Sequence, residues 1–308
     1  MSGYLPFETA IEELERSAAA LRAAGGREAE AAQLETRARR QLADLYSRLS
    51  PWQRMIVARH PARPKLPILV SGLFEEFTPL AGDRAFGDDK AIIGGLARFR
   101  GVAVMVIGHH KGEDTAGRVA HNFGMGLPEG YRKAVRLMAL ADRFGLPVIT
   151  LIDTPGAFPG LGAEERGQAE AIARCTQKCL EIGVPLIAVI IGEGGSGGAV
   201  ALATADRVLM LEHAVYSLIS PEGCASILWR SAKRAADAAD ALKITAAELL
   251  RLKIIDGIVY EPPGGAHRDP ALTLRRLAIA IGDDLAALRT RTPAELRADR
   301  SRKYLQIG

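Results

Sequence analysis

"GVPLIAVIIGEGGSGGAVALATAD", residues 183 to 206, runs from a Val-Pro step through an unbroken apolar stretch into five closely spaced glycines and then a small-residue segment. A short apolar run bounded by turn residues reads as a buried strand, and the glycines read as a tight loop feeding a short helix. Two functions compete for that loop. Gly192, Gly194 and Gly197 spell G-x-G-x-x-G, with Glu212 at the end of the next apolar run, as in a dinucleotide-binding turn and its ribose-binding acid. Alternatively, Gly197 and Gly198 place two consecutive backbone N–H groups at a helix start. There the helix dipole and the missing Cβ both suit an oxyanion hole.

The segment just upstream repeats this layout. A helix ending at Gly145 leads into "LPVITLID" and the turn "DTPGAFPG", as the helix ending at Gly183 leads into "VPLIAVIIG" and "GEGGSGG". Short apolar strands alternating with helices predict an α/β fold with a largely parallel, buried sheet. Both turns then converge on one end of the sheet, where open α/β sheets bind ligands. Further out, Phe7, Ile11, Leu14, Ala18 and Leu21 form one helical stripe and Leu34, Ala38, Leu42, Leu45 and Leu49 a second, with Gly25 and Gly26 between them. This predicts an N-terminal helical hairpin. Prolines at 61, 64 and 67 predict a helix-free boundary. Residues 222 to 260 return to helix, "KIIDGIVYEPPGGAHRDP" gives a short strand and exit, and the C-terminal stretch is helical.

Composition narrows the function classes. At 48% hydrophobic and 25% charged residues, with no apolar run long enough to span a bilayer, the sequence reads as soluble and globular. The start "MSGYLPFETAIEELERS" lacks the basic and apolar regions of a signal peptide, and three cysteines in 308 residues give no disulfide framework, so a cytoplasmic location is expected. Net charge is +4, but only the tail "RTRTPAELRADRSRKY" is locally basic, and it lacks the aromatics of a nucleic-acid reader. Neither a membrane nor a nucleic-acid partner is expected.

Single residues invite narrower chemistry. Asp153 to Gly156 matches the D-x-x-G of a GTPase switch, but no Gly-Lys pair exists to build the phosphate loop such enzymes need. Cys175 and Cys179 share a helix face at i, i+4, and two thiolates alone do not complete a metal site. His109 and His110 are acid–base candidates at a strand end. Ser196 lacks the full G-x-S-x-G frame of a nucleophile elbow. Arg132, Lys133 and Arg136 could meet phosphates or simply form a solvated helix face.

The longer motifs are more specific. "LPFETAIEELE", "ARHPARP", "LAGDRAFGDDKAIIGGLAR", "VIGHHKG", "NFGMGLPEGYRKAVRLM", "DTPGAFPGLGAEERGQAEAIA", "IGEGGSGGAVAL", "YSLISPEGCASILWR" and "GGAHRDP" occur in that order. Together they resemble the family of acetyl-coenzyme A carboxylase carboxyltransferase alpha subunits. One departure is Gly126, where the family usually has proline, which loosens that loop.

The resemblance implies a crotonase-like superhelix of β-β-α units over residues 51–270, a helical hairpin over 1–50 and a helical tail over 271–308. It implies an α2β2 heterotetramer with a beta subunit, working with biotin carboxylase and a biotin carboxyl carrier protein. The carboxyl group of carboxybiotin on that carrier passes to acetyl-CoA, giving malonyl-CoA for fatty acid biosynthesis. Zinc is expected in the beta subunit, and no metal in this chain. Gly197 and Gly198 are implied as the backbone oxyanion hole. Gly156, Gly194 and Gly195 are expected to line the same cleft, and Pro221, Glu222 and Gly223 to present N–H groups at another helix start. The alternatives are a crotonase-type acyl-CoA hydratase or decarboxylase, or a dinucleotide-binding protein using Gly192, Gly194 and Gly197.

Overall fold

A computed structural model describes residues 3 to 307. Residues 1, 2 and 308, the outermost positions of the expected hairpin and tail, lie outside the described residues. The chain opens with α1 (Thr9–Ala24) and α2 (Glu28–Ser47). They are separated at Gly25 and Gly26, whose φ of 72° and 77° are open to glycine at no steric cost. Ile11, Ala38, Leu42 and Tyr46 of this pair pack with Leu5, Leu49 and Val57, so the sequence stripes do face one another.

Two short helices follow, α3 (Pro51–Ala58) and α4 (Leu66–Leu73). Ser50 and Gln53 form a reciprocal capping box at the start of α3. Helix α4 corrects the expectation of a helix-free boundary. Pro67 lies in its first turn, where an N–H would have no partner within the helix, so its absence costs nothing.

The sheet begins with β1 (Glu75–Pro79), β2 (Ile92–Phe99) and β3 (Val102–His109), paired antiparallel. Arg100 and Gly101, at φ 48° and 78°, make the two-residue turn between β2 and β3, a geometry that needs positive φ at both positions. Then come α5 (Thr115–Ala120), α6 (Pro128–Phe144), β4 (Val148–Thr154), α7 (Leu161–Glu165), α8 (Gln168–Glu181), β5 (Leu186–Gly195) and α9 (Ser196–Ala203). The remainder is β6 (Arg207–Leu211), β7 (Val215–Ser217), α10 (Pro221–Trp229), α11 (Ala235–Ala241), α12 (Ala246–Arg251), β8 (Gly257–Val259), α13 (Pro270–Leu288) and α14 (Pro293–Leu305).

Strand order is β1-β2-β3-β4-β5-β6-β8, with β7 paired to β5 off this path. From β3 onward every pairing is parallel, so the sheet is mixed. All of β4 is buried, and β5 is buried through Gly194, as expected of central strands with both faces covered. The main core joins these strands to Tyr131, Leu137 and Met138 of α6, Cys175 and Cys179 of α8, and Leu277 and Ile281 of α13. Strand β5 changes partner along its length: Ile187–Ile190 pair with β6, and Glu193–Gly195 pair with β7. The exchange delivers the glycine loop to the carboxyl end of the sheet.

Candidate active site

The two glycine turns meet. Ile152 pairs with Ile190, but the next registered pair is Thr154 with Gly194, so β5 carries extra backbone where the ladder breaks. Asp153 fills the break, its Oδ1 accepting the Glu193 N–H at 2.9 Å. A Cβ on Gly192 would lie 2.6 Å from that carboxylate, which accounts for the glycine without any ligand. Gly192 and Gly194 both lie inside β5 and not in a turn between strand and helix. The apparent fingerprint is therefore no pyrophosphate loop. Its supposed ribose acid, Glu212, instead accepts the Glu261 N–H at 3.0 Å.

Beyond the break, the loops touch backbone to backbone. A Cβ on Gly195 would sit 2.2 Å from the Pro155 carbonyl oxygen, and one on Gly198 would sit 2.7 Å from the Gly156 carbonyl carbon. Gly194 is confined more softly, by the Tyr216 ring and Ile190. A Cβ on Gly197 would make only ordinary contact with Ile172 at 3.5 Å. Gly156 has φ 152° and its amide donates to Thr154 Oγ1 at 3.1 Å.

Helix α9 starts directly after this contact. Gly195 occupies its N-cap, no side chain caps it, and no acid lies in its first turn. The first amides of an α-helix have no intrahelical acceptor, so Gly197 and Gly198 present N–H groups beside the 154–157 turn. Ser196 just before them has φ 54°, and its hydroxyl donates to no histidine among the described residues.

The other expected helix start behaves differently. Pro221 has no N–H, Gly223 donates to the Ser220 hydroxyl at 3.1 Å, and Cys224 donates to the Ser220 carbonyl at 2.9 Å. Of the trio, only the Glu222 amide is left to present. The Glu222 carboxylate pairs with Arg59 at 2.5 Å.

That ion pair belongs to a network that sequence reasoning missed. Lys111, just past β3, reaches Asp153 at 2.6 Å and Glu193 at 3.6 Å. Arg59 at the end of α3 grips Glu193 at 2.6 Å. Burial works against the Arg59 charge, but hydrogen bonds and attraction from Glu193 and Glu222 outweigh it and raise the guanidinium pKa. Asp153 and Glu193 each precede one glycine turn, so the network ties the two turns together. Behind it, Arg63 donates to the Ile191 carbonyl at 2.7 Å and forks onto buried Glu261 at 2.5 and 2.9 Å. Glu261 also accepts the His213 and Ala266 amides. Although burial raises its pKa, Arg63 and these donors outweigh that and hold the carboxyl down at about 2.

The remaining candidates are accounted for structurally. His109 is fully buried without a hydrogen-bond partner, and burial followed by repulsion from Lys111 pushes its pKa down to about 3. It is neutral at physiological pH. Arg132 pairs with Asp83, Lys133 with Asp88, and Arg136 binds the Leu80 and Gly82 carbonyls. Cys175 and Cys179 are buried thiols, and no group of three or more His, Cys, Asp or Glu able to hold a metal occurs among the described residues. Gly126 lies against Ile92 and the Tyr131 ring, and its carbonyl accepts from Gln168 and Phe158. No helix among the described residues is long and apolar enough to cross a membrane.

Solved structures share this architecture. Transcarboxylase 12S aligns with a TM-score of 0.58 at 20% identity, over 73% of this chain and 44% of that one. The beta subunit of Pseudomonas aeruginosa geranyl-CoA carboxylase aligns at 0.57 and 18%, over 79% and 46%. The sheet and its apposed glycine turns thus have the crotonase-like fold of these structures.

Sequence relatives fix the family. Residues 4–308 match the family described as acetyl co-enzyme A carboxylase carboxyltransferase-like. The acetyl-coenzyme A carboxylase carboxyl transferase subunit alpha of Rhizorhabdus wittichii is 58% identical over the full length of both chains, and that of Zymomonas mobilis is 60% identical, again over the full length of both. The chain belongs to the acetyl-coenzyme A carboxylase carboxyltransferase family, on its alpha-subunit side.

Proposed function

We propose that this chain supplies one half of a composite active site in which a carboxyl group passes from biotin, held on a carrier protein, to acetyl-CoA, giving malonyl-CoA for fatty acid biosynthesis. The observation that carries this reading is the uncapped start of α9. Its Gly197 and Gly198 amides stand at the contact with the 154–157 turn, where any Cβ on Gly198 would intrude. Biotin, when bound, carries the carboxyl group. The chain's own part is electrostatic: two fixed amide donors and a helix dipole stabilise an oxygen as it becomes negative, an effect of about 3 to 4 kcal/mol for a donor in comparable holes. Gly194 and Gly195 set the height of the loop, and Gly156 its facing wall. Lys111, Asp153, Arg59 and Glu193 hold those walls in register.

The second half of the site, including a zinc ribbon, belongs to a beta subunit in an α2β2 assembly, with carrier and biotin carboxylase as further partners and the cytoplasm as the setting. The test is reconstitution of this chain with a zinc-ribbon beta partner, followed by carboxybiotin-dependent malonyl-CoA formation. Activity only in the mixture is expected. Binding of the two chains without transfer would overturn the reading, and turnover of CoA esters by the isolated chain would favour a hydratase or decarboxylase.

A further inference from the structure

A second, half-open cavity of about 540 Å³ is lined from α8, α9, β7, α12 and α14. That size falls within the range of small-molecule sites, about 300 to 1,000 Å³. Neither glycine turn lines it, and among the described residues its lining carries no charged side chain. Leu180, Val200, Leu249 and Ile254 give it aliphatic walls. A charge taken into such a space loses its water with nothing to replace it, so whatever enters is uncharged there.

The polar side-chain atoms of the lining are taken, with one exception. The hydroxyls of Thr176, Thr204 and Ser217 donate to the carbonyls of Ile172, Val200 and Ile219 at 3.1, 2.9 and 2.8 Å. The Tyr304 hydroxyl donates to the Ala203 carbonyl at 3.1 Å and accepts the Ala205 N–H at 2.7 Å. The Tyr216 hydroxyl has no hydrogen-bond partner among the described residues. Its ring is not free to swing toward one, because it packs against Gly194, where a Cβ would lie 3.0 Å from Tyr216 Cδ2. Burial raises the phenol pKa to about 12, so the group is a neutral donor at physiological pH. An apolar space with one fixed donor is the usual make-up of a small-molecule site, in which a few polar groups set the orientation.

We propose that this cavity binds an uncharged aliphatic molecule carrying one acceptor oxygen, of the medium-chain ketone or alcohol type. Its hydrocarbon lies against Leu180, Leu249 and Ile254, and its oxygen accepts from the Tyr216 hydroxyl.

Displacement of the neutral fluorophore N-phenyl-1-naphthylamine tests it, on the full chain and on the complex reconstituted with the beta partner, with 2-decanone and decanoate as competitors. Saturable displacement by the ketone is expected in both, about tenfold or more better than by decanoate, whose charge is disfavoured in an uncharged site. Tyr216→Phe keeps the ring against Gly194 and removes only the hydroxyl. It is expected to weaken the ketone about three- to tenfold, the scale of one lost hydrogen bond, and to leave fluorophore binding unchanged. Leu180→Trp fills the space from its exposed rim and is expected to abolish binding of both, with circular dichroism confirming the fold. Decanoate competing as well as the ketone, or parent-like ketone binding in either variant, overturns the proposal. So does ketone binding that is present in the free chain and lost in the complex, which would make the cavity a seat for the partner protein.

Discussion

Helices α9 and α10 both begin just past a strand, and both have glycine at the third helical position, Gly198 and Gly223. Their starts are built in opposite ways. Ser220 caps α10, and Glu222 puts a negative charge in its first turn. Helix α9 has glycine at the N-cap, no capping side chain and no acid. A glycine N-cap forgoes only about a few tenths of a kcal/mol against a capping serine, so α9 keeps its donors open at little cost in stability. An unfilled set of donors facing a second loop is the arrangement a transient negative charge requires, whereas a filled set is ordinary helix architecture.

The largest expected effect comes from undercutting the α9 side. Arg63→Met leaves Glu261 buried without its counter-ion and frees the Ile191 carbonyl, and breaking a buried pair in this way costs about 3 to 5 kcal/mol. Chemical denaturation reads the loss directly. The pH dependence gives a second check. The folded Glu261 pKa of about 2 lies below its ordinary 4.5, so this group's stabilisation is full above about pH 4.5 and lost as pH falls toward 2. That acid-side slope should vanish in Arg63→Met, and its persistence would count against Arg63 as the cause.

Next comes Gly198→Val, which places a side chain against the Gly156–Ala157 backbone and is expected to lower kcat by about 10² to 10³, the loss seen when an oxyanion donor is removed. Circular dichroism and co-purification with the partner separate this from unfolding, and a parent-like kcat would refute the assignment. Smaller again, Ser220→Ala should lower stability by about 0.5 to 2 kcal/mol while transfer continues. A collapse of kcat there would show that the α10 start is more than a capped helix end. Least of all, Gly197→Ala meets only Ile172 at ordinary distance. Thermal melts are expected to show it neutral or more stable by up to about 1 kcal/mol, from helix propensity alone.

The α9 side was largely legible in the sequence because its information is local. Apolar runs, the Val-Pro step and paired glycines lie within a single stretch, so strand, loop and helix start follow from residues adjacent in the chain. The α10 start is local as well: Ser220 before Pro221 is a cap followed by proline in the first turn. The ion network was not legible, because Arg59, Lys111, Asp153, Glu193 and Glu222 come from five separate segments and only the sheet brings them together. Gly192 misled for a related reason: its role is fixed by a carboxylate on the neighbouring strand, and spacing within its own segment cannot report that. Pro67 was misread because a proline inside a helix and one in its first turn look alike until the boundary is known.

Strand β5, by exchanging β6 for β7, carries one last implication. Five glycines in a row of nine would ordinarily make a supple segment, since ordering each backbone unit costs on the order of 1 to 2 kcal/mol in lost freedom. Here three of them, Gly192, Gly194 and Gly195, lie within the strand, and the other two open a helix. The ordering is complete before any ligand arrives. On the function proposed above, the donors would meet the reacting oxygen as a stationary array, with no affinity diverted into stiffening the loop.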